Sequence, residues 1–196
     1  GVLIIGDTIF NETDTLMLGA FVDAEAVGIY RVAWTYVTLV TFLNIAAGSV
    51  IFPKLSRLSA TEDIGRFLSA TVPTLLGLGA LTLPFALAMA WWLPWFDPRY
   101  SDALVVFYIL YLGLLFDLVA GSLSLALFSL ERPGILTAVS LLKIVVNVLA
   151  NIVLISLYGV VGAAVATLLT RVLGGVIYLV ALRRALNAPN PPPPQS

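Results

Sequence analysis

The chain has 196 residues, of which 60% are hydrophobic and 11% charged, with a formal net charge of −1 and neither cysteine nor histidine. A soluble domain carries about 25% charged residues, and a soluble fold of this length cannot hide so much apolar surface and still cover itself with polar groups. The charge balance excludes a strongly basic nucleic-acid binder, and without Cys or His there are no disulfides, no thiol chemistry and neither the commonest general base nor the commonest metal ligand.

Lipid is the solvent that suits this composition. A bilayer core needs about 20 apolar residues per helix, so the chain holds about six spans. Span one runs from Gly1 to Phe21 and is the most polar, with Asp7, Asn11, Glu12 and Asp14 inside it. The turn Val22-Asp23-Ala24-Glu25 leads to span two, Ala26 to Phe52, which stops at Pro53. Lys54 to Arg66 is a polar surface helix or loop. Span three, Phe67 to Leu93, holds Pro73 and Pro84, which kink a helix and are tolerated in lipid. It ends in Trp91-Trp92-Leu93-Pro94-Trp95-Phe96, the composition of an interfacial aromatic belt. Span four, Ala103 to Leu130, contains Asp117, and Glu131-Arg132-Pro133-Gly134 is a turn. Span five, Ile135 to Leu157, carries Lys143, Asn147 and Asn151. Tyr158-Gly159 turns the chain into span six, Val160 to Leu182, with Arg171 near its centre. From Asn187 the tail runs into four prolines and is expected to be disordered or extended polyproline. The runs are too long for strands and lack period-two alternation. The expected fold is therefore an all-α polytopic bundle over residues 1–186, with a Pro-rich tail at 187–196. Residue 1 is Gly, with no signal peptide before the first apolar run, which reads as a piece of a longer protein.

Lys54, Arg57, Arg66, Arg132, Arg183 and Arg184 fall on one side of the spans and only Arg99 on the other. The positive-inside rule puts the first set, and the C-terminus, in the cytoplasm. The Lys54–Arg66 segment is a solvated loop or a contact for anionic lipid heads.

Charges inside a bilayer are costly unless paired or hydrated, so each is a functional candidate. Asp7, Asn11 and Asp14 share one helical face by their i, i+4, i+7 spacing, a face unsuited to lipid. Asp14 and Arg31 flank the first turn at similar depths, roughly 10 Å below the surface, and are expected to pair. Lys143, Asn147 and Asn151 form a polar stripe at i, i+4, i+8. Asp117 and Lys143, on consecutive spans, differ in depth by roughly one helical turn and are a second expected pair. Both pairs read equally as structural clasps. Arg171 has no sequence-local partner and reads as a cavity cation, while Asn151 reads as interhelical glue. Gly159, Gly162, Ala163, Ala164 and Ala166 allow close helix approach.

Asp14-Thr15-Leu16-Met17-Leu18-Gly19 with Val27-Gly28-Ile29-Tyr30-Arg31-Val32-Ala33, then Ile51-Phe52-Pro53-Lys54-Leu55-Ser56, then Asn147 with the run from Gly159 to Thr167, together resemble the polysaccharide flippases of the multidrug/oligosaccharidyl-lipid/polysaccharide exporter superfamily. The resemblance is to the C-terminal six-helix bundle of a two-bundle transporter, with the N-terminal bundle as its missing partner. It implies a cytoplasmic-membrane transporter, not an enzyme, moving a polyprenyl-pyrophosphate-linked oligosaccharide by alternating access among the membrane lipids, with no cofactor. Arg31, Lys143, Arg171 and Asn147 are then the candidates to bind substrate. Asp7, Asp14 and Asp117 are the candidates to couple transport to H⁺ or Na⁺. A cation-coupled multidrug exporter of the same superfamily, a membrane enzyme and a non-transporting assembly subunit remain the alternatives. For the enzyme, the loop acids Glu62, Asp63, Asp97 and Asp102 form no recognisable constellation.

Overall fold

The computed structural model describes residues 2–58, 61–96 and 101–187; within them, side chains are described for 12–58 save 39 and 44, for 63–95 and for 101–187. These residues are helical apart from brief turns: α1 (Val2–Phe21), α2 (Ala24–Leu55), α3 (Thr61–Leu81), α4 (Leu83–Phe96), α5 (Ser101–Ser129) and α6 (Pro133–Leu186). The chain folds as an all-α membrane helical bundle. Ala24–Leu55, Asp63–Trp95, Ser101–Ser129 and Pro133–Leu186 are each long and apolar enough to cross a membrane. Leu16, Phe42, Leu76, Leu87, Leu141 and Leu157 stay exposed, as lipid-facing side chains should. The Pro-rich tail at 188–196 lies outside the described residues, as does most of the turn after α4.

Two of the expected spans differ in detail. Span three is split at Thr82 between α3 and α4. Pro84 has no N–H to donate one turn back, so the ladder breaks just before it. The Thr82 hydroxyl then donates to the Gly79 carbonyl at 2.7 Å and lies 2.6 Å from the Tyr111 hydroxyl on α5. Span two does not stop at Pro53; α2 carries that proline and continues to Leu55.

Spans five and six are the two limbs of α6. Its 54 residues would be about 80 Å long if straight, more than twice a bilayer core. The reversal is at Gly159, with φ 55° and ψ −130°, a conformation that side-chain-bearing residues rarely adopt. Just beyond it, a Cβ on Gly162 would collide with the Leu154 carbonyl, so the limbs meet backbone to backbone. Ala163, Ala164 and Ala166 continue this close seam and are fully buried.

Helix α5 sits centrally, packing on α2, α3, α4 and α6, while α1 packs on α2 and on α6. One apolar cluster gathers Leu18, Tyr30, Phe107, Leu110 and Ile155 near the end bearing the α1–α2 turn. A second gathers Leu55, Ile64, Leu127, Leu136 and Leu182 at the opposite end, which carries Lys54, Arg57, Arg132, Arg183 and Arg184. Between these two layers lie the buried polar groups.

Candidate functional site

Asp14 is the centre of the first polar group and only 1% exposed. Its Oδ2 accepts from the Tyr30 hydroxyl of α2 at 2.5 Å and from the Thr167 hydroxyl of α6. Its Oδ1 accepts from Asn151 Nδ2 at 2.6 Å, and that same amide donates to Asn147 Oδ1 at 3.1 Å. One carboxylate thus ties together α1, α2 and both limbs of α6. The symmetry of the α6 hairpin explains the meeting, because Asn151 and Thr167 are equally distant from Gly159. Asn147 Nδ2 and Asn151 Oδ1 have no hydrogen-bond partner among the described residues. Buried amide groups are rarely left in this way, so spare donor and acceptor capacity marks the cluster.

A second group lies one helical turn further along α6. Arg171 is 5% exposed and donates from Nη1 to Asp117 Oδ2 of α5 at 2.5 Å. Its guanidinium carbon lies 5.7 Å from the Trp34 ring centroid, within cation–π range. Gly113 of α5 leaves the room: a Cβ there would lie 3.0 Å from Arg171 Cδ. Lys143 lies with its aliphatic stem against Gly174, across the α6 hairpin.

The pair expected at the first turn is corrected. Asp14 is held by Tyr30, Asn151 and Thr167, whereas Arg31 lies 3.9 Å from Glu12, both side chains well exposed at 65% and 60%. Residues at equal depth still point in different directions, since successive helical residues turn by about 100°. Tyr30, not Arg31, reaches Asp14, while Arg31 meets α1 at Glu12. Asp117 is engaged by Arg171, so Arg171 is not a cation without a partner. Asn147 is fully buried beside Asn151. Asn151 does bridge helices as expected, but its partner is the Asp14 carboxylate. The Asp7 side chain lies outside the described ones.

Tyr30 and Thr167 escaped the sequence reading as site residues. Both lie in the segments that carry the family resemblance, and neither bears a charge to draw attention. Chemically, the Asp14 cluster is a buried, oxygen-rich group in which the carboxylate accepts from neutral donors.

A family model described as "Polysaccharide biosynthesis protein" matches residues 2–96. The chain is 31% identical over 90% of its length to a protein of Haloferax volcanii named "Probable flippase AglR". The relationship is to a polysaccharide-biosynthesis flippase family. The chain is also 25% identical over 89% of its length to the "Probable low-salt glycan biosynthesis flippase Agl15" of the same organism. It is 29% identical over 83% of its length to an uncharacterised membrane protein, MJ1068, of Methanocaldococcus jannaschii. It spans 39%, 38% and 33% of the lengths of these three relatives. No solved structure matches it. The long apolar helices and the two relatives named as flippases together support a multi-pass membrane protein.

Proposed function

We propose that this chain forms one helical bundle of a flippase. The flippase moves a polyprenyl-pyrophosphate-linked oligosaccharide to the outer leaflet of the cytoplasmic membrane by alternating access against a second bundle. The relatives named as flippases support the substrate class.

The observation that carries the reading is the exposed Glu12–Arg31 pair. Counted from the α1–α2 turn, these residues lie about 10–14 Å inside the span. Charged groups so far inside the membrane are not left facing hydrocarbon. The α1–α2 face must therefore border water, the wall of a translocation cavity. Arg31 is the exposed cation on that wall, and its planar guanidinium suits a pyrophosphate. The buried Asp14 cluster then serves as the coupling centre. Asp14, Thr167, Asn147 and Asn151 offer oxygens to a proton or sodium ion, and occupation changes the bonds holding α1 and α2 to α6. Arg171 supports that centre from one turn away and Asp117 anchors Arg171. Lys143 adds positive charge on the facing limb of α6.

In cells lacking the native protein, a copy carrying Arg31→Ala should insert at normal levels yet leave lipid-linked oligosaccharide undelivered at the outer leaflet. Normal glycan delivery by that variant would overturn the role of Arg31.

A further inference from the structure

The Asp117–Arg171 pair is asymmetric. Arg171 is sealed at 5% exposure, while the Asp117 side chain keeps 29%. Asp117 lies about 24 Å from the Ser101 end of α5 and about 18 Å from its Ser129 end. A partly exposed carboxylate at mid-membrane depth faces water or a polar occupant, not hydrocarbon. The structure shows where that exposure leads. A cleft of about 250 Å³ between α2 and α5 opens beside Asp117, lined with Gly48, Gly121, Ser122 and Ser124 and walled by the apolar Ile51 and Leu118. These residues extend from Asp117 toward the basic end of the bundle, the end that the positive-inside rule puts in the cytoplasm.

We propose that this cleft is a water-filled access path for small monovalent cations, running from the cytoplasmic end to Asp117. Small residues keep it open and the two serines supply hydroxyls. The electrostatic shape favours cations: the carboxylate is the near end of the pair, with its guanidinium behind it and further from the cleft. A cation arriving at Asp117 competes with Arg171, which lies one turn from Thr167 and so adjoins the Asp14 cluster. The cleft supplies an entry to the coupling centre from the side opposite the α1–α2 turn. This use of the cleft rests on the transporter reading; its water content and charge preference do not, and they are tested without any transport assay.

The chain contains no cysteine, so a single introduced thiol reports cleanly. Ser124→Cys, in the full-length protein in membrane vesicles, is treated from each face with a cationic or an anionic membrane-impermeant methanethiosulfonate. Rates are normalised to those with a free thiol. The cationic reagent, applied from the cytoplasmic face, should react about tenfold faster than the anionic one. Asp117→Asn should erase that preference while leaving labelling intact. Gly121→Leu should slow both reagents at least tenfold, because a Cβ at Gly121 meets nothing within 4 Å and the side chain can fill the cleft without a clash. This second variant keeps the test decisive if Asp117→Asn fails to fold. Lack of reaction from the cytoplasmic face, equal rates for the two reagents, or labelling only by a lipid-soluble maleimide would overturn the proposal.

Discussion

Replacing Asp14 by Asn and by Ala separates its structural role from its charge. In Asp14→Ala, the hydroxyls of Tyr30 and Thr167 and the amide of Asn151 lose their shared buried acceptor. An orphaned buried donor costs about 1–3 kcal/mol, so three of them cost at least about 3 kcal/mol. At roughly 2–4 °C per kcal/mol for a chain of this size, the melting temperature should fall by about 10 °C. In Asp14→Asn the network can invert instead. The new carbonyl accepts from Tyr30 and Thr167, and the new amide donates toward Asn151. If Asn151 flips, it presents the Oδ1 that is now unpartnered, and Asn147 can flip to donate its own spare Nδ2 to that same oxygen. Every strong bond is replaced by another, and the cost should stay near 1 kcal/mol or below. Thermal unfolding of the purified full-length protein, followed by size-exclusion fluorescence, reads both. Asp14→Asn should melt within about 4 °C of the parent yet lose any dependence of transport on a cation gradient. Equal destabilisation by the two variants would refute the inverted network, and cation-driven transport by Asp14→Asn would refute the role of the charge.

Removing Arg171 alone leaves the Asp117 carboxylate without its cation, so Arg171→Ala should lower stability by about 3 kcal/mol. The double variant with Asp117→Ala should recover part of that loss in a double-mutant cycle; strict additivity would contradict the pairing. Gly159→Ala should destabilise the hairpin by about 1–3 kcal/mol through its positive φ. Gly162→Ala should do more harm still because of the Leu154 carbonyl, and unchanged melting of either variant would contradict the reversal. Arg31→Ala should melt within about 0.5 kcal/mol of the parent, since its ion pair is exposed; a large loss would mean that Arg31 is structural. A thiol introduced by Arg57→Cys should react with an impermeant reagent only from the cytoplasm, and external labelling would reverse the orientation.

The helices were legible because lipid imposes a length on apolar runs, and the α6 hairpin was legible from Tyr158-Gly159. Depth could be counted from the turns, which is why Asp14 was correctly placed opposite the beginning of α2. Azimuth could not be counted as well. A difference of one residue, Tyr30 against Arg31, decided which side chain met the acid. The partner of Asp117 was harder still, since Arg171 is 54 residues away and nothing local links them. The break at Thr82 had its cause in plain view at Pro84, but proline tells where a ladder fails and not whether the two pieces stay one rod. The Lys143–Asn147–Asn151 face is legible as a polar stripe; that Asn151 would bond the Asp14 carboxylate required knowing how α1 lies along α6.

The most direct test of the account is lipid-linked oligosaccharide movement in proteoliposomes holding the purified full-length protein, with leaflet position read by a sugar-cleaving enzyme outside the vesicles. The substrate should move across the bilayer with the parent protein, respond to an imposed proton or sodium gradient, and stay in place with Arg31→Ala. Movement that persists unchanged in Arg31→Ala and ignores both gradients would contradict a cavity cation and a coupled flippase alike.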